Sequence, residues 1–192
     1  LAACVALVAH PDDERYKPLF GNDVVTPLFG VRVPVRPHGL ADPEKGTGVA
    51  MICTFGDVTD VTWWRELSLP VRAIIQANGA FKPVTWGDRG WESTDAPTAQ
   101  AHYDQLAGLS AVKARARVVE QLKASGDLLG DPRPITHAVK FYENGERPLE
   151  IVTTRQWYIK NGGRDETLRA ELLERGDKLI WHPDHMRVRY QH

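Results

Sequence analysis

Short apolar runs separated by turn-forming residues dominate the first part of the chain. Apolar runs of roughly four to eight residues that end at glycine, proline or asparagine are typical of β-strands. The pattern therefore predicts strands at 4–9, 24–25, 31–35, 48–54 and 71–75. The run from Gly48 to Thr54 is the most apolar of these, which predicts a central strand that is covered on both faces.

Helical patterns occupy the segments 58–69, 110–126 and 164–175, and Asp184 begins a further predicted helix. In the second helix, Ser110 is a suitable N-cap and Gly126 a suitable C-terminal stop. Its inward face is predicted to consist of Val112, Ala116, Val119 and Leu122. In the third helix, Gly176 is the predicted stop, and the inward face is predicted to consist of Leu168, Leu172 and Leu173.

The stretch 76–105 is rich in glycine, proline, tryptophan and polar residues and has no hydrophobic period. This composition predicts a long, partly mobile surface insertion. Beyond Asp131 and Pro132 the pattern predicts a hairpin with arms at 136–142 and 149–159, a hinge at 161–163 and a short strand at 179–181. The chain is accordingly divided into one domain at 1–130 and a returning hairpin with helices at 131–192.

The composition is that of an ordinary globular protein, with 42% hydrophobic and 26% charged residues among 192. The formal net charge of −1 excludes the class of strongly basic nucleic-acid-binding proteins, but not contact with RNA at one end. Cys4 and Cys53 lie in apolar runs without a Cys-x-x-Cys pair, which predicts buried free thiols. No apolar run can span a bilayer and no signal peptide is visible, so the expected compartment is the cytoplasm.

Two motifs suggest a zinc site. The segment from His10 to Glu14 follows an apolar strand, and the segment from His182 to His185 carries two further histidines. Both resemble metal-binding motifs of zinc-dependent N-acetylglucosaminyl deacetylases, and such residues are suitable zinc ligands. However, the glycine-rich turn of that family is absent, and the middle of the chain lacks alternating strands and helices. We therefore expect no metal, and we interpret the first motif as a turn in which Asp12 or Asp13 caps a short helix through Lys17.

A second resemblance extends over nearly the whole chain. The segments His10–Tyr16 and Asp42–Gly48, the latter followed by an apolar strand and an acidic turn, resemble the valyl-tRNA synthetase family in order and spacing. Pro148–Glu150 and Gln156–Tyr158 resemble the segment that returns to the catalytic body of that family. The ATP-binding signatures of the catalytic domain are absent. The resemblance implies an α+β fold, with the β-barrel-like editing domain of this family and flanking helices.

The activity implied by this resemblance is hydrolysis of tRNA(Val) that carries threonine at its 3′ end. The implied partners are that tRNA and the rest of a monomeric synthetase, without a membrane. No cofactor is implied for editing, because ATP and magnesium serve only the catalytic domain. We expect weak or no activity from the 192 residues alone, because family members carry a threonine-rich pocket peptide before the position of Leu1. The alternatives are an isoleucyl-tRNA synthetase editing domain, a zinc deacetylase and a non-catalytic tRNA-docking module.

The resemblance assigns the site residues within the stretch from Gly46 to Glu66. Asp60 is the implied anchor for the α-ammonium of the aminoacyl ester, because a carboxylate in the first turn of a helix is favoured in its ionised form. Asp57 is a second implied pocket acid, with helix capping as the alternative. The other implied substrate-binding residues are Lys45, Gly46, Thr47, Gly48, Met51 and Phe55.

The sequence departs from this family at several positions. Gly56 stands where many relatives have a histidine, so a proton-transfer role for that histidine is lost. Lys45 and Met51 occupy pocket positions that vary, which affects the contact with the threonine hydroxyl. Cys53 is a poor nucleophile candidate because no base is evident beside it. For the segment Trp63–Glu66 we weigh packing in the core against contact with the entering tRNA end. For the basic face of the helix at 110–126 we weigh solvation against RNA contact, through Lys113, Arg115, Arg117 and Lys123.

Overall fold

The computed structural model describes residues 1–53, 55, 58–132, 141–145, 149, 152–154, 156–157, 163 and 165–191. The chain divides into two compact units, residues 1–153 and residues 154–192. The predicted functional division at 130/131 stays a prediction, because compactness alone does not define an editing domain. The predicted hairpin arms at 136–142 and 149–159 and the hinge at 161–163 lie largely outside the described residues.

A mixed four-stranded sheet forms the centre of the first unit. Its strands are β1 (Ala6–Ala9), β2 (Asp23–Val25), β3 (Arg32–Pro37) and β4 (Val49–Ile52), arranged in the order β2-β3-β1-β4. β1 runs parallel to β3 and antiparallel to β4, with Ala6 opposite Ile52. The α+β class is therefore confirmed, and the described sheet is open. The central position predicted for β4 is wrong, because β4 lies at one end of this order. Ile52 is buried on one face of β4, whereas Met51 on the other face is exposed.

Two hydrophobic cores flank this sheet. The larger core is built around Phe29 and receives Cys4, Val31 and Val33 from the strand region. The smaller core contains residues of β1 and β4 together with Trp63 and Leu69. The packing of Trp63 confirms the core interpretation for this residue.

The segment 76–105 contributes to the larger core, so its prediction as a surface insertion is wrong. Trp86 is only 6% exposed, and its ring stacks on Phe29 with the centroids 5.5 Å apart. Tyr103 is fully buried, and its hydroxyl donates a hydrogen bond to the Lys82 carbonyl over 2.9 Å. It lies in helix α2 (Ala96–Asp104), which Asp95 caps. Aromatic residues that converge on one core without a regular spacing explain why the hydrophobic period did not reveal this packing.

Helix α1 (Val58–Glu66) confirms the helix predicted at 58–69, although it ends three residues earlier. Ser68 adopts a left-handed backbone with φ +51° directly after it. The Leu69 amide then donates to the Trp64 carbonyl over 3.0 Å, which closes the helix before Pro70. The strand predicted at 71–75 is wrong, because the described pairing there is limited to an isolated bridge between Ile75 and Phe81.

Helix α3 (Ala111–Ser125) confirms the helix predicted at 110–126, and Gly126 ends it with φ +79°. The predicted inward face is wrong: Val112 is 68% exposed, whereas Ala114 and Gln121 are buried. The small side chain of Ala114 allows close approach to the larger core. Gln121 donates a hydrogen bond to the His102 carbonyl over 3.0 Å, so a polar contact helps to determine the orientation of the helix.

The second unit contains helices α4 (Glu166–Asp177) and α5 (Met186–Gln191). Both helices were predicted, and Asp165 caps α4 by accepting from the Leu168 amide over 3.0 Å. Gly176 is not the stop but a buried position inside α4, where the Tyr190 ring occupies the space that a side chain would fill. The strand predicted at 179–181 does not form. Instead, the Trp181 indole donates to the Gly176 carbonyl over 2.9 Å. In the described part of the chain, none of the helices combines the length and apolar character that crossing a bilayer requires.

Candidate functional site

The segment His10–Tyr16 holds the loop at 42–48 in place through hydrogen bonds of Arg15 and Tyr16, and we call these contacts, together with the Asp13–Arg15 pair, the brace. The Arg15 guanidinium donates two hydrogen bonds to the buried Asp13 carboxylate, over 2.8 and 2.6 Å. It also donates to the Pro43 carbonyl over 3.0 Å, which joins the motif to the loop before β4. The hydrogen bonds from Arg15 hold the pKa of Asp13 below its usual value. The predicted helix after Asp12 is wrong: Asp13 caps a turn, and a short 3-10 helix begins only at Lys17–Leu19.

A second contact fixes the glycine turn itself. The Tyr16 hydroxyl donates a hydrogen bond to the Thr47 carbonyl over 2.7 Å. Gly48 has φ +82°, and a Cβ atom placed there would lie 2.6 Å from Nη2 of Arg15 and 2.9 Å from the Pro43 carbonyl oxygen. Glycine is therefore required at this position by its backbone conformation and by the close approach of Arg15. The contacts of Arg15 and Tyr16 hold the loop at 42–48 in one position, a role that the sequence motif alone did not reveal.

The braced loop forms one wall of a cavity of about 380 Å³ beneath α1. Lys45 and Gly48 line this cavity from the loop, and Thr59 and Trp63 line it from the helix. The sequence analysis did not identify Thr59 and Trp63 as lining residues, although their i, i+4 spacing places them on one helix face. Of the predicted substrate-binding residues, the structure therefore brings Lys45 and Gly48 together here.

Among the described residues, the other predicted substrate-binding residues are not in the lining of this cavity. Met51 is 46% exposed on β4, opposite Leu7. The Phe55 ring meets the Trp64 ring edge to face, with centroids 5.3 Å apart. Gly46 has φ +63° and open space beside its Cα, while the Thr47 carbonyl is engaged by Tyr16. Asp57 and Gly56 lie outside the described residues, so both alternatives for Asp57 stay predictions.

Asp60 lies in the first turn of α1, as predicted, and its charge acts on Cys53 at the end of β4. A hydrogen bond between the Cys4 and Cys53 side chains lowers the pKa of Cys53 to about 7, while burial and the Asp60 charge act in the opposite direction. The pKa of Cys4 is raised by the same hydrogen bond and by burial. The expectation that Cys53 is a poor nucleophile stays a prediction.

The described residues contain no group of three or more His, Cys, Asp or Glu side chains that could hold a metal ion. In the first motif, the Asp13 carboxylate is already bound by Arg15 through both oxygens. His10 accepts a hydrogen bond at Nδ1 from the Asp12 amide over 3.2 Å. In the first of the two motifs that suggested zinc, His10 and Asp13 thus have other contacts.

Because the brace contains the ionised Asp13 carboxylate, we expect the free energy of unfolding to fall as the solution becomes more acidic. Because the folded state lowers the pKa of Asp13 below 3.8, its ionised carboxylate stabilises the fold at neutral pH. We expect Asp13→Asn to lower the free energy of unfolding at pH 7, and we expect the difference from wild type to shrink as pH falls below 3.8. Urea unfolding at a series of pH values measures both effects. Asp12→Asn, at an exposed neighbour, is the matched control; an equal loss in this variant would contradict the brace.

The fold and the site together define an α+β module with a braced glycine turn and a carboxylate in the first turn of α1. No family model matches the chain. Over its whole length it is similar to valine–tRNA ligases, with 63% identity to that of Thermobifida fusca, 60% to that of Leifsonia xyli and 58% to that of Salinispora tropica. The match covers 100% of this chain but only 21 to 22% of each of these relatives. The chain thus resembles one segment of a bacterial valine–tRNA ligase, about a fifth of its length.

Proposed function

We propose that this chain is the editing region of a valine–tRNA ligase and that it hydrolyses tRNA(Val) carrying threonine. The observation that carries this proposal is the position of Asp60 in the first turn of α1, beside the end of β4. The full-length similarity to valine–tRNA ligases supports it. The β-barrel-like form of the core belongs to the same proposal.

In this proposal Asp60 is the residue that binds the substrate amine. A carboxylate in the first turn of a helix is stabilised by the exposed amides and the helix dipole. An ionised carboxylate forms a charge-assisted hydrogen bond with the α-ammonium of an aminoacyl ester. The ester is already reactive, so holding it against a water molecule supplies much of the rate. The step then breaks the ester bond, adds water across it, and needs neither a covalent intermediate nor a metal.

The need for this site follows from the similarity of two amino acids. Threonine and valine are nearly isosteric. A hydrophobic pocket therefore discriminates against threonine, with its added hydroxyl, by only about a hundredfold, a figure established for valyl-tRNA synthetases themselves. A second site can select threonine by hydrogen bonds to its hydroxyl, since valine would leave those polar groups unpaired. The cavity beneath α1, lined by Lys45 and Thr59, offers polar groups of this kind.

The test uses a full valine–tRNA ligase that contains this sequence. Purified tRNA(Val) charged with threonine is compared with the same tRNA charged with valine, and release of the amino acid is followed over time. We expect rapid release of threonine and at least about a tenfold slower release of valine. Binding of both tRNAs without hydrolysis would instead indicate a docking module, and preferential release of valine from tRNA(Ile) would indicate an isoleucine enzyme.

A further inference from the structure

One face of β3 carries arginine at alternate positions. Arg32, Pro34 and Arg36 share this face because side chains alternate along a strand, whereas Val33 and Val35 point into the protein and are buried. The sequence analysis identified this strand but did not assign its arginines a role. The alternation of valine with arginine and proline is the signal that could have identified this exposed basic face.

These arginines border a groove of about 260 Å³ between β3 and the segment after α1. Arg72 completes a set of three guanidinium groups in its lining, and none of the lining residues is acidic. A neighbouring groove of about 410 Å³ shares Arg32 and Arg72 and is also lined by Glu92, Ser93 and Thr94. The two grooves therefore form an extended basic surface, although the chain as a whole has a formal net charge of −1.

The positive charge and the hydrogen-bond donors of Arg72 are only partly satisfied by neighbouring residues. Its side chain is only 12% exposed, and its Nη1 atom is buried without a hydrogen-bond acceptor among the described residues. The Glu92 carboxylate is 3.5 Å from Nη2, and the guanidinium lies over the Trp91 ring at 5.8 Å. Burial lowers the pKa of Arg72, yet an arginine stays charged at neutral pH. A buried cation with an unused donor favours an anionic ligand in its groove.

Arg32 and Arg36 also lack compensation within the described part of the chain, where neither forms an ion pair. Exposed arginines without acid partners suit phosphate groups, because the planar guanidinium donates two parallel hydrogen bonds to phosphate oxygens. A free small anion would occupy one groove. An extended polyanion matches the continuous surface that the two grooves share through Arg32 and Arg72.

We propose that Arg32, Arg36 and Arg72 bind phosphodiester groups of the tRNA strand that leads to the hydrolytic site. This proposal rests on the proposed function, because that function supplies the RNA. The groove is placed suitably: Cys4 and Val5 line it, and the Val5 amide donates to the Ile52 carbonyl over 2.8 Å at the end of β4, the strand that precedes α1. The strand would thus pass along β3 toward the start of α1.

The experiment uses a valine–tRNA ligase that contains this sequence, with the double variant Arg32→Ala, Arg36→Ala. Single-turnover hydrolysis of threonyl-tRNA(Val) is measured against enzyme concentration at several NaCl concentrations. We expect the half-saturating concentration to rise about tenfold and the slope of log affinity against log salt to fall by about 1.5, while the rate at saturation changes less than about twofold. The variant Arg32→Lys, Arg36→Lys is expected to restore most of the affinity.

The matched control is Arg175→Ala, Lys178→Ala, which removes two exposed cations at the end of α4. We expect this variant to behave as wild type, and an equal loss of affinity would overturn the specific role of the groove. An unchanged salt slope in the Arg32, Arg36 variant would also overturn it. The proposal would also be overturned if the Arg32, Arg36 variant lost affinity for inorganic phosphate but kept its affinity for tRNA. That result would assign the groove to a free anion. If the wild type does not hydrolyse the ester, the proposed function fails, and the salt slope of tRNA binding still tests the groove.

Discussion

A valine–tRNA ligase with Asp60→Ala in this region is expected to accumulate threonyl-tRNA(Val) when it is incubated with threonine, ATP and tRNA. The carboxylate supplies a charge-assisted hydrogen bond to the substrate ammonium, worth about 2–3 kcal/mol. Its loss corresponds to a deacylation rate that is lower by roughly a hundredfold. Valine charging should be unchanged, because the synthetic reaction occurs at a different site.

Two further variants separate the charge of Asp60 from its shape. Asp60→Asn keeps the size of the side chain but cannot neutralise an ammonium, so we expect it to lose as much activity as the alanine variant. Asp88→Ala removes an exposed carboxylate in a turn of the segment 76–105 and should edit as wild type does. Normal editing by the asparagine variant, or an equal defect in Asp88→Ala, would contradict the role of the Asp60 charge.

Replacing Gly48 by alanine is expected to have the largest effect on stability. The alanine would have to adopt φ +82°, which costs about 1–2 kcal/mol for a residue with a Cβ atom. Its Cβ would also lie 2.6 Å from the Arg15 guanidinium, 2.9 Å from the Pro43 carbonyl oxygen and 3.0 Å from the Asp13 carboxylate. Relief of these contacts requires movement of the brace, so we expect a total loss of about 3 kcal/mol or more in the free energy of unfolding.

Gly46→Ala is the matched control for this prediction. Gly46 has a similar backbone, with φ +63°, but no neighbouring atom lies within 4 Å of the position of a Cβ. We therefore expect only the backbone cost of about 1–2 kcal/mol. Chemical denaturation of both variants measures the difference. Equal losses would show that the contacts of Gly48 with Arg15 and Asp13 contribute little.

The strands and helices that the sequence predicted correctly are those determined by local pattern. β1 and β3 are apolar runs with clear turns at their ends, and α3 ends at a glycine whose left-handed backbone the sequence anticipates. The central position predicted for β4 failed because strand order depends on contacts between distant segments. The inward face of α3 failed for the same reason, since Ala114 and Gln121 are buried by their neighbours and not by their own hydrophobicity.

The candidate site shows a similar division. The position of Asp60 in the first turn of a helix could be predicted, because helix start signals are local. The brace could not be predicted, because its hydrogen bonds join Arg15 to Pro43 and Tyr16 to Thr47, residues that are 28 and 31 positions apart. The burial of Trp86 on Phe29 likewise depends on a contact between distant residues that no periodic pattern reveals.

Single-turnover deacylation of purified threonyl-tRNA(Val) tests the central claim most directly. A ligase that contains this sequence is compared with its Asp60→Asn variant, with both enzymes in excess over the tRNA. We predict that the wild type releases threonine and that the variant does so about a hundredfold more slowly. Release of threonine by the variant at the wild-type rate would contradict the assignment of this region as an editing site centred on Asp60.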